Sequence, residues 1–304
     1  MSFTKAARPD GRGRSEGRET TGKMVFGCDR SESMSTDVEE TRPGDGDASR
    51  GSRRECAAPR GVARCGRPSG SAGDLPGFII VSGAATPMSI EREDTMRRLV
   101  DSGTVAVMRG ADPDRLVETV EALREGGVTA VEITADNPDA LAMIETVVAS
   151  FDDEVVVGAG TVLDAETAVD TIRAGARFVV GPTVEEDVIR ACNRYGTLVA
   201  PGAFTPTEAL SAYEAGADLV KVFPASSGGP GHLSGIKGPL PQIPLMPTGG
   251  VDADNAGDFI RAGAEVVGAG SALVPGGAVE SGDFETITEN ARAFSEAIDE
   301  ARSE

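Results

Sequence analysis

Eight short runs of β-branched and apolar residues, separated for the most part by stretches of helical character, constrain this chain more than any other feature. They are Thr104–Met108, Ala130–Ile133, Glu154–Val157, Phe178–Val180, Leu198–Ala200, Asp218–Phe223, Pro244–Met246 and Glu265–Val267. The segments between them, such as Asp112–Glu125 and Glu208–Glu214, carry apolar residues at spacings of three and four, which is the helical period. Such alternation builds βα units around a parallel sheet. Glycine closes the helices in a regular way, in Glu125-Gly-Gly-Val128, Arg173-Ala-Gly-Ala176, Glu214-Ala-Gly-Ala217 and Arg261-Ala-Gly-Ala264, each just before a strand. Eight strands within roughly 210 residues fit an α/β chain folded as a (β/α)8 TIM barrel. A doubly wound open sheet is the competing arrangement, but no Gly-x-Gly-x-x-Gly follows the first run.

The barrel is expected over residues 88–304. Residues 1–87 are rich in Gly, Ser, Arg and Asp and show no sustained apolar period. A segment of that kind buries too little surface to offset its ordering entropy, so it is expected to be a disordered, low-complexity extension. The apolar patch Phe78–Val81 is too short to alter this. The preferred explanation is a mis-assigned start, with translation beginning at Met88 or Met96; a basic arm contacting a partner is the other.

Charge separates the same two parts. Residues 1–87 hold 14 Lys and Arg against 12 Asp and Glu, whereas residues 88–304 hold 15 against 37. So acidic a domain disfavours nucleic acid and anionic membrane as partners. It reads as a solvated halophilic surface, with self-repulsion screened by salt. Only two lysines, Lys221 and Lys237, remain in the acidic part, so each is informative. One of the four cysteines, Cys192, lies there, and no CxxC pair occurs, which points to a reducing compartment with neither disulfide framework nor metal site. The single histidine, His232, sits in a glycine-rich stretch and reads as an exposed loop residue. No run is long enough to span a bilayer, and the N-terminus lacks a signal-peptide core, so a cytoplasmic location is expected.

Barrel chemistry gathers at the C-terminal ends of the strands. Those ends present Arg109, Glu132, Thr161, Pro182, Gly202, Lys221, Thr248 and Ser271. Lys221 lies inside Leu219-Val-Lys-Val-Phe-Pro224, a strand covered on both faces, so its place is the barrel mouth. Burial disfavours an ammonium ion, and a neutral amine is a nucleophile. A lysine that snorkels to solvent or pairs with a carboxylate is the plainer reading. Glu132, in an otherwise apolar run, is either the ion-pair partner of Lys221, a general acid–base, or both. Arg109 offers a forked donor for a carboxylate, unless it is only a surface arginine at a strand end. Pro247-Thr-Gly-Gly-Val251 and Gly268-Ala-Gly-Ser-Ala272 follow the last two runs, where barrels bind phosphate through backbone N–H groups. Gly158-Ala-Gly-Thr-Val162 reads as a turn that presents the Thr161 hydroxyl.

The segments Val131-Glu-Ile-Thr134, Gly158-Ala-Gly-Thr-Val162, Lys221-Val-Phe-Pro224, Pro247-Thr-Gly-Gly-Val251 and Gly270-Ser-Ala-Leu-Val274 closely resemble the KDPG/KHG aldolase family over about residues 95–300. The resemblance implies a metal-free, cofactor-free class I lyase of the Entner–Doudoroff pathway. It would cleave 2-dehydro-3-deoxy-6-phosphogluconate to pyruvate and glyceraldehyde 3-phosphate. It further implies a Schiff base on Lys221 and proton transfer by Glu132. Thr161 and Thr248 would bind the pyruvate moiety, Pro182 and Phe223 would shape the pocket, and Gly249, Gly250, Gly270 and Ser271 would hold the phosphate. A homotrimer is the implied assembly. The chain departs from the family pattern four residues after Glu132. Many members carry a carboxylate-binding arginine there and this chain has Asp136, so Arg109 is expected to supply the contact. Competing expectations are aldolases for 4-hydroxy-2-oxoglutarate or the phosphogalactonate epimer, a non-catalytic barrel that binds a phosphorylated metabolite, and an acidic interaction protein.

Overall fold

A computed structural model of the chain describes residues 90–304. The expectations for residues 1–87, including Phe78–Val81, lie outside the described residues. Helix α1 (Ile90–Ser102) precedes the first strand. The strands are β1 (Thr104–Met108), β2 (Ala130–Thr134), β3 (Val156–Gly160), β4 (Phe178–Val180), β5 (Leu198–Ala200), β6 (Gly202–Ala203), β7 (Val220–Val222), β8 (Leu245–Pro247) and β9 (Val267–Ala269). Between them run α2 (Leu116–Glu125), α3 (Ala140–Phe151), α4 (Ala165–Arg173), α5 (Glu186–Tyr195), α6 (Pro206–Glu214), α7 (Gly229–Lys237) and α8 (Ala253–Arg261). Helices α9 (Gly276–Ser281) and α10 (Phe284–Ser303) follow the last strand.

All strand pairs are parallel, in the order β5-β4-β3-β2-β1-β9 and β6-β7-β8. The two groups join into a curled sheet. At one junction a bridge links Thr248 to Gly268. At the other, Pro201 divides one strand position into β5 and β6; it has no N–H for a ladder, but its carbonyl accepts from the Lys221 amide at 2.9 Å. The result is an α/β barrel.

Alternation along the strands sorts side chains into two cores. Val105, Ala130, Val156, Phe178, Val180, Leu198, Ala200, Leu219, Met246 and Val266 fill the interior together with Leu99 of α1. Their neighbours Ala106, Val131, Val157, Val179, Val199 and Val220 pack outward against the helices. The same alternation turns Glu132 and Thr134 inward on β2 and Lys221 inward on β7. Helix α1 closes the end where the strands begin: Arg92 bonds the Gly216 carbonyl and the buried Asp218 carboxylate, just ahead of β7, and Arg98 reaches the Asp153 carbonyl ahead of β3.

The seventh expected strand, Pro244–Met246, is Leu245–Pro247, one residue later, and two others begin and end at least two residues nearer the C-terminus. The third is Val156–Gly160 and not Glu154–Val157, and the last is Val267–Ala269 and not Glu265–Val267. In both, glycine belongs to the strand because a neighbour occupies the space of its missing Cβ. A Cβ at Gly158 would overlap the Phe178 ring, one at Gly160 the Glu132 carboxylate, and one at Gly268 the Thr248 side chain. The expected turn at Gly158–Thr161 is therefore a strand end. His232 is not an exposed loop residue either. It lies on α7, whose N-terminal Pro230 suits a helix start, and it is half-buried with its ring stacked on Phe204 at 4.6 Å. Its Nε2 is 2.6 Å from the Phe204 carbonyl. No helix among the described residues is long and apolar enough to cross a membrane.

Candidate active site

The strand ends open into a cavity of about 880 Å³. Of the residues expected at the site, Arg109, Lys221, Phe223, Thr248, Gly249, Gly250, Gly270 and Ser271 line it. Glu132 and Thr161 stand beside them and are tied to them by the contacts below. Pro182 follows β4, and its carbonyl is packed against Gly202, where a Cβ would overlap it.

Lys221 Nζ lies 3.8 Å from Glu132 Oε1, with side-chain exposures of 6% and 1%. That separation is an ionic contact, longer than a hydrogen bond. Nζ also sits over the Phe223 ring, 5.4 Å from its centroid. Neither oxygen of Glu132 has a hydrogen-bond partner, and the Thr134 hydroxyl two residues on is equally buried and unpartnered. Burial pushes the Glu132 carboxyl above the usual glutamate range, and the positive charges of Lys221 and Arg109 oppose the shift. A carboxyl whose protonated form is favoured in this way can take and give a proton at a group held beside it.

Arg109, at the end of β1, is not an unengaged donor. Its Nη1 donates to Asp136 at 2.9 Å and its Nη2 to the Thr161 hydroxyl at 3.1 Å. Sequence reasoning noticed Asp136 only as a reversal of charge. Its position in the loop after β2, beside the end of β1, was the available signal. Thr161 has φ 55°, the left-handed region that a β-branched residue rarely enters.

Gly249 and Gly250 are consecutive left-handed residues, with φ 90° and 76°. Their carbonyls are held by the Ser226 amide at 2.9 Å and by Asn255 Nδ2 at 3.1 Å. A Cβ at 250 would meet Ser226 at 2.5 Å, so this bend accepts only glycine. Helix α8 begins directly after it, capped by Asp252 and Asn255. On the neighbouring strand, the Gly270 carbonyl accepts from Leu273 and Val274. The two glycine segments thus form adjoining walls of one cavity.

Among the described residues no group of three or more His, Cys, Asp or Glu side chains is placed to hold a metal ion. Cys192 is buried away from the cavity, and desolvation pushes its thiol up to about 12.

Known proteins resemble this chain in sequence and in fold. The family model for KDPG and KHG aldolases matches residues 95–290. The 2-dehydro-3-deoxy-6-phosphogalactonate aldolase of Escherichia coli (strain K12) is 37% identical over 198 residues, covering 65% of this chain and 95% of that protein. The KHG/KDPG aldolase of the same organism is 33% identical over 190 residues, 62% of this chain and 87% of that one. Among solved structures, a native KDPGal structure superimposes with TM-score 0.63 at 36% identity, over 66% of this chain and 96% of that chain. A KDPG aldolase from Legionella pneumophila, with pyruvate captured as a covalent carbinolamine, gives 0.62 at 29% identity, over 66% and 97%.

Proposed function

This chain belongs to the KDPG and KHG aldolase family and is a lyase, and on that premise we propose that it cleaves a 2-dehydro-3-deoxy-6-phosphoaldonate through a Schiff base on Lys221, using a (β/α)8 barrel. The Lys221 amine adds to the C2 carbonyl, and loss of water leaves an iminium ion. Glu132, directly or through water, takes the proton of the C4 hydroxyl. The C3–C4 bond breaks, the aldehyde departs, and the bonding electrons move into the iminium as an enamine. Protonation at C3 and hydrolysis release pyruvate and free the amine. Thr161 and Thr248 border the pyruvate moiety, Phe223 shapes the pocket, and Arg109 meets the carboxylate. Gly249, Gly250, Gly270 and Ser271 receive the phosphate on backbone N–H groups.

One observation carries this reading: the buried lysine and the unpartnered glutamate meet 3.8 Å apart at a strand-end cavity. Borohydride reduction in the presence of pyruvate, followed by peptide mass spectrometry, tests it. A reduced pyruvyl adduct on Lys221 is expected, and Lys221→Ala should abolish both adduct and turnover. A folded protein that forms no adduct would instead be a barrel that binds a phosphorylated metabolite.

The gluconate-derived substrate is the first reading. The galactonate epimer is the second, supported by the phosphogalactonate aldolase among the relatives. The ratio of kcat/KM for the two epimers decides between them. The homotrimer is part of the same proposal, and light scattering in solution tests it.

A further inference from the structure

Three consecutive strand ends contribute to one arrangement beside the cavity. Arg109 follows β1, Asp136 follows β2 and Thr161 follows β3. Asp136 accepts from Nη1 of the guanidinium and Thr161 from Nη2. The loop that carries Asp136 is itself held on both sides. The Ala135 amide donates to the Gly160 carbonyl at 2.8 Å, and Asn137 Nδ2 donates to the Ala111 carbonyl at 3.2 Å. Within the loop, Asn137 Oδ1 accepts from the Asp139 amide at 2.9 Å. Asp136 therefore stands on a loop bonded to both neighbouring strand ends.

A guanidinium carries five N–H donors in one plane, and two are engaged here, which leaves three for a ligand. A strand-end arginine whose side chain is 59% exposed would otherwise sample many rotamers. Ordering it only when ligand arrives would subtract from affinity. We propose that Asp136 is a positioning residue for the substrate carboxylate. It fixes the plane of the Arg109 guanidinium so that the remaining N–H edge receives the carboxylate while Lys221 reacts at C2. The inference rests on Lys221 reacting with a 2-oxo acid. Repulsion between Asp136 and an incoming carboxylate opposes the effect. That repulsion is screened, because the side chains of Arg109 and Asp136 are 59% and 47% exposed, whereas the directional constraint on the guanidinium is not.

The test measures half-saturation of borohydride trapping by pyruvate, together with kcat and KM for cleavage. It compares wild type with D136A, D136N, R109A and the R109A/D136A double variant. D136A should raise half-saturation and KM about tenfold, with kcat held within about twofold. D136N keeps an oxygen that accepts from Nη1 and should recover most of the loss. In the R109A background, removing Asp136 should change neither quantity by more than about twofold. An unchanged or lower KM in D136A, or an equal loss in the R109A background, overturns the assignment. Wild-type protein that forms the adduct while D136A matches it refutes the role of Asp136 alone, whereas wild-type protein that forms no adduct overturns both this inference and the Schiff-base reading.

Discussion

Glu132 and Lys221 approach to 3.8 Å although their strands, β2 and β7, are not neighbours. In one direction round the sheet β3, β4 and the divided β5–β6 position lie between them, and in the other β1, β9 and β8. The pair thus spans the barrel. Both side chains are buried, and the positive charge of Lys221 opposes the rise that burial imposes on the Glu132 pKa.

The burial of Glu132 sets the pH behaviour. Burial raises the Glu132 pKa, so its proton-accepting form is lost as pH falls through a value above the usual glutamate range. Cleavage should show an acidic limb there. Glu132→Gln should remove that limb and lower kcat by about 10²–10⁴-fold. Stability follows the same linkage. The unfolded chain ionises first, so the contribution of the carboxyl is full below the ordinary glutamate pKa and is lost as pH rises through the raised one. Urea midpoints measured across that window should fall for wild type relative to Glu132→Gln. Parallel profiles for the two proteins would contradict the buried, raised state.

Two inward glycines on β3 should fail in different ways. Gly158→Ala drives a methyl group into the Phe178 ring in the interior core, and overpacking of this kind costs about 1–3 kcal/mol. Gly160→Ala drives it into the Glu132 carboxylate. The second variant should lose kcat out of proportion to its change in urea midpoint, and the first should do the reverse. Equal effects on kcat would contradict the separation.

The phosphate wall makes a selective prediction. Gly250→Ala strains a left-handed residue and meets Ser226, so KM for a 6-phosphorylated substrate should rise at least about tenfold. KM for an unphosphorylated 2-oxo acid should change little. Steady-state kinetics on both substrates checks this, and a uniform rise would show general damage to the mouth.

Truncations at Met88 and at Met96 differ physically. A chain beginning at Met88 retains Arg92 and its bond to the buried Asp218, whereas one beginning at Met96 removes Arg92 and the rest of α1 ahead of Met96, nearly two turns. Loss of one partner from a buried pair costs about 3–5 kcal/mol. The Met88 chain should match the full-length protein in activity and in its urea midpoint, and the Met96 chain should be destabilised by about that amount.

The barrel was legible because strand and helix periods differ and eight repetitions reinforce one another. Lys221 and Glu132 were legible as polar residues in apolar strands, and the structure brings them together. Glycine was less transparent. At 158, 160 and 268 it makes room for a side chain on a neighbouring strand, which no local pattern reveals, so β3 and β9 were placed too early. Helix α1 passed unnoticed because much of its surface is charged and its apolar anchor is little more than Leu99 and Met96. The partnership of Arg109 with Asp136 depends on adjacent strand ends, and sequence spacing carried it only as an anomaly of charge.

Thr161 adopts a backbone conformation that glycine would hold without strain. Such strain amounts to about 1–3 kcal/mol, and it persists where the surroundings over-determine it. Thr161→Gly would therefore remove strain while also removing the hydroxyl that Arg109 bonds. A search for thermostable variants that scored folding alone would be drawn to this position and would select against the mouth of the barrel. Folding alone gives no reason for a threonine at 161, whereas its bond to Arg109 does.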